Sequence, residues 1–145
     1  MNENRDTLGM PDVLDSYPVA PPRSLDGVLG FELLEAGPNF VRGQVVVSER
    51  ICQRFGLVHG GVYASLAEML ATEATVHNVW ADGKVAVGMS NNTSFLRPIT
   101  KGTVHAVGQA LHRGATTWVW QLELLDDEDR RCAVSTVTIA VRDRR

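Results

Sequence analysis

The longest regular pattern of apolar positions lies between residues 61 and 79. Five positions there recur at intervals of four, three, four and three residues, which is the spacing of one helical face. They are Val62, Leu66, Met69, Glu73 and Val76. Because alanines and threonines fill many of the remaining positions, the pattern predicts a long helix that can lie close against a sheet and be buried on nearly every side.

Alternating apolar and polar residues predict strands on both sides of this helix. Before it, the segments 28–35 and 40–47 flank the turn residues Gly37-Pro38-Asn39 and predict a hairpin. After it, four further strand segments are joined by short connections, which is typical of an antiparallel sheet. These segments are 85–95, 103–113, 116–124 and 131–142. The predicted fold class is α+β, a single domain with a long central helix wrapped by an antiparallel sheet of five or six strands.

The first 25 residues have a different composition, because they contain four of the six prolines of the chain. This predicts an extended N-terminal arm over residues 1–25, with a short helical turn near residues 13–17. The domain then covers residues 26–145. A total of 145 residues suits one domain with a sizeable core.

The composition excludes several classes of function. A net charge of −3 lacks the basic footprint of a nucleic-acid-binding protein. Cys52 and Cys132 have neither metal-ligand spacing nor the numbers of a disulfide framework, so we expect two reduced thiols and no metal site. The N-terminus is polar and no apolar run approaches about 18 residues, so we expect a cytoplasmic protein without a membrane segment.

Residues that carry chemistry concentrate at the start of the predicted helix. Gly60 and Gly61 begin it, and Glu68 lies two turns inside. Backbone N–H groups at a helix start can bind an oxyanion, and a carboxylate among apolar residues is costly to bury without a partner or a function. The pair indicates acyl chemistry that needs no metal or cofactor. The alternative is a tight glycine turn followed by an ordinary solvated carboxylate.

The neighbours of Glu68 separate into stronger and weaker candidates. Thr72 lies four residues further on and shares its helical face. Glu73 competes as the reactive carboxylate, but it lies about 140° away around the helix. His59 either orients a substrate or water or has a structural role, and Gln53 is a weaker polar candidate on the connecting segment.

The spacing of Gly60 and Glu68 restricts how they can act together. Eight residues correspond to about 12 Å along a helix axis. A nucleophile approaches to roughly 3–3.5 Å of the carbonyl carbon, and an oxyanion donor lies about 2.7–3.1 Å from the oxygen. If both groups act on one thioester, the helix start must therefore come from a neighbouring subunit. The spacing predicts an active site that two chains of a dimer share.

The same residues resemble a known family. The segment 56–61, followed by Glu68, resembles the PaaI-like branch of the hotdog-fold thioesterases. Longer blocks are similar to the 4-hydroxybenzoyl-CoA thioesterases that use a glutamate, and the resemblance covers roughly residues 11–145. These blocks are 53–56, 67–75, 93–98, 116–118 and 132–135.

The resemblance implies hydrolysis of an aryl-CoA thioester, with 4-hydroxybenzoyl-CoA as the preferred substrate. It implies Glu68 as nucleophile or general base, the Gly60 backbone N–H as the group that polarises the carbonyl, and Thr72 as the holder of the hydrolytic water. Gln53 and His59 become supporting polar residues from the subunit that provides Gly60. Residues implied in contacts with the coenzyme A arm are Arg97, Thr116, Thr117 and one of Arg142, Arg144 and Arg145, of which Arg142 is selected.

The resemblance also implies a homotetramer of two dimers, no cofactor, and a place in the breakdown of aromatic compounds. Phenylacetyl-CoA or a broader range of acyl-CoA substrates is the first alternative. A hotdog hydratase or dehydratase, and an acyl-CoA-binding protein without catalysis, are the others.

Overall fold

The computed structural model describes residues 23–145, so most of the predicted N-terminal arm and its short helical turn lie outside the described residues. Two α-helices, α1 (Leu25–Leu29) and α2 (Gly60–Val79), are accompanied by short 3₁₀ turns at Glu49–Ile51 and Trp80–Asp82. The strands are β1 (Glu32–Ala36), β2 (Phe40–Val46), β3 (Lys84–Phe95), β4 (Thr103–Arg113), β5 (Thr117–Leu125) and β6 (Arg131–Asp143).

All six strands form one antiparallel sheet in the order β1-β2-β4-β5-β6-β3. The prediction of one long helix with five or six antiparallel strands is therefore confirmed, with six strands. β3 follows α2 in the chain and pairs only with β6, so its other side is an open edge of the sheet. This edge is twelve residues long, and it runs beside the helix that carries the predicted site.

The core lies between α2 and the sheet. The indole N–H of Trp120 donates to the hydroxyl of Thr75 at 2.9 Å, and that hydroxyl donates to the Ala71 carbonyl at 2.7 Å. The buried face of α2 differs in part from the predicted one, because Met69 and Glu73 are only half-buried. Val62, Leu66 and Val76 are buried as predicted, and buried alanines let the helix lie close to the sheet, as their small side chains predicted. These alanines are Ala67, Ala71 and Ala74.

The beginning of the described chain also corrects a prediction. The strand expected from residue 28 begins only at Glu32, because the preceding residues form α1. The Ser24 hydroxyl caps this helix by accepting from the Gly27 N–H at 3.2 Å, and Gly30 ends it in the left-handed conformation, with φ of 79°. α1 contacts α2 and spans residue 26, where the domain was predicted to begin; that boundary stays a prediction.

Cys52 and Cys132 are free thiols, half-buried and buried respectively. Within residues 23–145, no helix combines the length and the apolar character that crossing a membrane requires.

Candidate active site

The loop before α2 is a closed turn that fixes the start of the helix. Cys52 and Val58 form an isolated antiparallel bridge, and the Gln53 N–H donates to the Leu57 carbonyl at 2.8 Å. The Val58 N–H donates to the carbonyl of Ile99 at 2.8 Å. The Gln53 side chain accepts a hydrogen bond from the Phe55 N–H. The loop therefore holds Gln53 directly beside the first turn of α2.

His59 is the N-cap of α2. Its Nδ1 accepts from the Gly61 N–H at 2.8 Å, and its carbonyl accepts from the Val62 N–H at 2.9 Å. The Gly60 N–H has no acceptor within residues 23–145. A helix start with a free N–H is suited to binding developing negative charge. The structure thus gives His59 a capping role and leaves the Gly60 amide available, as the predicted oxyanion contact requires.

A cavity of about 640 Å³ opens at this helix start. It brings together four of the predicted site residues, which are Gln53, His59, Gly60 and Arg97. Apolar side chains form much of the remaining wall, including Tyr63, whose ring lies 6.1 Å from that of Phe95. Burial, with the nearby Cys132 thiol, raises the pKa of Tyr63 to about 12. The phenol therefore stays protonated at physiological pH.

A second and smaller cavity, of about 260 Å³, lies beside Glu68. Thr72 lines it too, so Glu68 and Thr72 lie on one helical face, and the predicted role of Thr72 stays a prediction. Burial, and after it the charge of Glu68, raises the pKa of Asp26 above its ordinary value of 3.8. Asp26 lines this cavity as well, and the other lining residues are Leu25, Ser65, Met69 and Glu73.

The two cavities lie at different points along β3. A side chain at Gly60 would place its Cβ 2.8 Å from the ring of Phe95, whereas a Cβ at Gly88 would lie 3.2 Å from Glu68 Oε1. Gly88 and Phe95 are seven residues apart on one strand, or about 23 Å at the usual rise. Within one chain, therefore, the helix start and the carboxylate face separate cavities.

The residues predicted to contact coenzyme A are divided in the same way. Arg97 lies in the cavity at Gly60. Arg142 instead donates to the Thr116 carbonyl at 3.0 Å. Thr117 of β5 pairs with Ala140 of β6, which in turn pairs with Val87 of β3. Val87 is the neighbour of Gly88, the position that faces Glu68. One chain thus places Arg97 at one end of its sheet and the two threonines with Arg142 towards the other.

Comparison with known proteins assigns the family. Residues 55–133 match the model of the Thioesterase superfamily, which is more than half of the chain. The chain belongs to the Thioesterase superfamily. It is therefore a hydrolase that acts on thioesters, and its fold is the hotdog fold predicted from the sequence.

Individual thioesterases support this assignment. The chain is 35% identical over 113 residues to the proofreading thioesterase EntH of Cronobacter turicensis. The aligned region covers 78% of this chain and 82% of EntH. The structure of thioesterase HI1161 from Haemophilus influenzae matches with a TM-score of 0.78 and 32% identity over 83% of both chains. The structure of a variant of thioesterase PA1618 from Pseudomonas aeruginosa matches with a TM-score of 0.78 and 32% sequence identity. This match covers 81% of this chain and 85% of the PA1618 chain.

Two polar residues of the Glu68 cavity were missed in the sequence of this thioesterase. Ser65 lies three residues before Glu68 on α2, so the helical repeat could have identified it. Asp26 carries no comparable signal, because it reaches the cavity from α1 only through the packing of the two helices.

Proposed function

We propose that this thioesterase hydrolyses an aryl-CoA thioester, with 4-hydroxybenzoyl-CoA giving 4-hydroxybenzoate and coenzyme A as the preferred reaction. The cavity beside Glu68 is lined by apolar and polar side chains together, which is the composition of a small-molecule site. Leu25 and Met69 offer apolar surface to an aryl ring, and Asp26 and Ser65 offer hydrogen-bonding groups to a ring hydroxyl.

The proposed reaction begins at the thioester carbonyl carbon. Glu68 attacks this carbon, or removes a proton from the water that attacks it, and the Gly60 N–H donates to the oxygen as negative charge develops there. The C–S bond then breaks and coenzyme A departs as a thiolate. In the route through a covalent intermediate, water held by Thr72 hydrolyses the anhydride and restores Glu68.

The observation that supports an active site shared by two chains is the separation of the two cavities. Neither cavity contains both an oxyanion donor and Glu68, so we assign one complete site to two chains. The open edge of β3 is twelve residues long and exposes Val87 and Met89 at 57% and 59%, and the unpaired backbone groups of such an edge can pair with a strand of another chain. Antiparallel pairing of two β3 strands, with Gly88 opposite Phe95 of the second copy, would bring each Glu68 towards the other chain's Gly60.

The same pairing would complete the proposed binding site for coenzyme A. It would bring Arg97 of one copy towards Thr116, Thr117 and Arg142 of the other. Arginines in this arrangement are suited to binding phosphate oxygens. Two such dimers would form the homotetramer that the family resemblance implies.

The substrate proposal is tested with 4-hydroxybenzoyl-, benzoyl-, phenylacetyl- and hexanoyl-CoA, by measuring thiol release. We expect the highest kcat/KM for the hydroxybenzoyl ester and the lowest for the hexanoyl ester. A preference for hexanoyl-CoA would contradict the aryl assignment.

The shared site is tested by mixing chains that carry Glu68→Gln with chains that carry Gly60→Pro, because proline lacks the backbone N–H and is tolerated at the first position of a helix. Each mixed dimer would contain one intact site and one doubly altered site, so random mixing should restore about a quarter of the activity of the unaltered dimer. Mass spectrometry verifies that mixed oligomers have formed. Verified mixed oligomers without any recovered activity would refute sharing.

A further inference from the structure

Gly88 provides the space in which the Glu68 carboxylate lies. A Cβ built on Gly88 would be 3.2 Å from Glu68 Oε1, 3.5 Å from its Cδ and 3.7 Å from its Cγ. These three atoms of one side chain are the nearest neighbours of that position. The α-carbon of Gly88 thus faces the reactive end of Glu68.

The backbone conformation of Gly88 gives no other reason for glycine. Among residues 23–145, the glycines with positive φ are Gly30, Gly56, Gly83 and Gly102, and Gly88 is not one of them. An alanine could adopt the conformation of Gly88 without backbone strain. The restriction comes from the space that Glu68 occupies.

A β-bulge lies directly beside Gly88. Gly88 pairs with Ile139 and Ser90 with Thr138, so Met89 is an extra residue in β3. Bulges bend an edge strand and are frequent next to active sites. Just beyond the bulge, the Asn91 side-chain amide donates to the Ala64 carbonyl at 2.8 Å, one helical turn before Glu68. This contact fixes the distance between strand and helix.

We propose that Gly88 is a positioning residue: by lacking a side chain next to the Met89 bulge, it sets where the Glu68 carboxylate lies during thioester hydrolysis. The inference rests on the proposed role of Glu68. In Gly88→Ala the new methyl group displaces the carboxylate by a few tenths of an ångström. Misplacement by about 1 Å costs on the order of 10²-fold in rate, so we expect kcat to fall about 10-fold with little change in KM.

The Tm of Gly88→Ala distinguishes a misplaced carboxylate from a general disturbance of the fold as the cause of a lower kcat. Alanine restricts the unfolded chain more than glycine does, so Gly88→Ala should leave the Tm unchanged or raise it. Ser90→Ala, in the same strand beyond the bulge, is the control and should keep full activity. Size-exclusion chromatography checks that neither variant alters the oligomer.

A double-mutant cycle with Glu68→Asp tests whether Gly88 acts through the carboxylate. Aspartate is shorter by one methylene, which withdraws the carboxylate from the strand, so Gly88→Ala should cost much less in this background. Losses that simply multiply, or a Gly88→Ala enzyme with full kcat, would overturn the inference about Gly88 alone. A Glu68→Gln enzyme that keeps full activity would overturn the proposed function and this inference with it.

Discussion

The start and the middle of α2 lie along the same edge strand, but they offer opposite chemistry. At the start, a capped helix end presents the Gly60 amide to a large and mostly apolar cavity. In the middle, Glu68 faces a smaller cavity that also contains Asp26 and Glu73. One end is suited to stabilising negative charge and the other to supplying it. The difference agrees with our proposal that a single chain holds two half-sites, each completed by a second copy.

The two half-sites also differ in how glycine is used. At the start, the glycine belongs to the helix, and its missing side chain leaves room for the Phe95 ring of the strand. In the middle, the glycine belongs to the strand, and its missing side chain leaves room for Glu68 of the helix. Close approach of α2 and β3 thus depends on Gly60 at one point and on Gly88 at the other.

The largest expected effect comes from removing the charge of the acidic half-site. Glu68→Gln should lower kcat by at least about 10²-fold, the scale of general acid–base catalysis, without lowering the Tm, because Glu68 is exposed in the single chain. Steady-state thiol release measures the loss. Glu49→Gln is the matched control, since Glu49 lies outside both cavities. Equal activity in the two variants would remove Glu68 from the mechanism.

A smaller effect should follow from loosening the helix start. His59→Ala removes the N-cap and should cost about 1 kcal/mol of unfolding free energy, whereas His59→Asn keeps a capping side chain and should cost less. We expect kcat to be low where the cap is lost and nearly normal where it is kept, so His59→Asn should have most of the kcat of the unaltered enzyme. Chemical denaturation and kinetics on the same samples check this. Recovered stability with lost activity would indicate that the imidazole itself contacts the substrate.

The smallest effect concerns the acidic cavity and pH. Because the folded state raises the pKa of Asp26, the folded protein holds this proton more tightly than the unfolded chain does. Stability from this group is present below pH 3.8 and is lost as the pH rises through the folded pKa. Asp26→Asn removes that loss. The Tm of this variant minus the Tm of the unaltered protein should therefore increase from pH 3.5 to pH 7, by roughly the amount that one titrating group contributes.

Thermal unfolding over this pH range measures the difference, with the exposed Asp82→Asn as control. A Tm difference that does not change with pH would show that the burial of Asp26 has no electrostatic cost.

Local pattern was sufficient for most of the fold. The helical repeat located α2 to within a residue at its start, and alternation and turn residues located five of the six strands closely. It was not sufficient for α1, where a serine cap and a left-handed glycine turn an apparent strand into a helix. On α2 it placed Val62, Leu66 and Val76 correctly on the buried face but also placed Glu73 there, which is only half-buried, because the exact orientation of the helix depends on its packing against distant strands.

The sequence by itself determined the thioesterase family and the distance along the helix that separates Glu68 from Gly60. These properties depend on residue type and on the fixed rise of a helix, so they need no knowledge of distant contacts. Only the tertiary structure decided that Asp26 joins the cavity of Glu68, that Arg97 lies with Gly60, and that Gly88 faces the carboxylate. Those contacts join residues far apart in the chain, and packing of the helices against the sheet creates them.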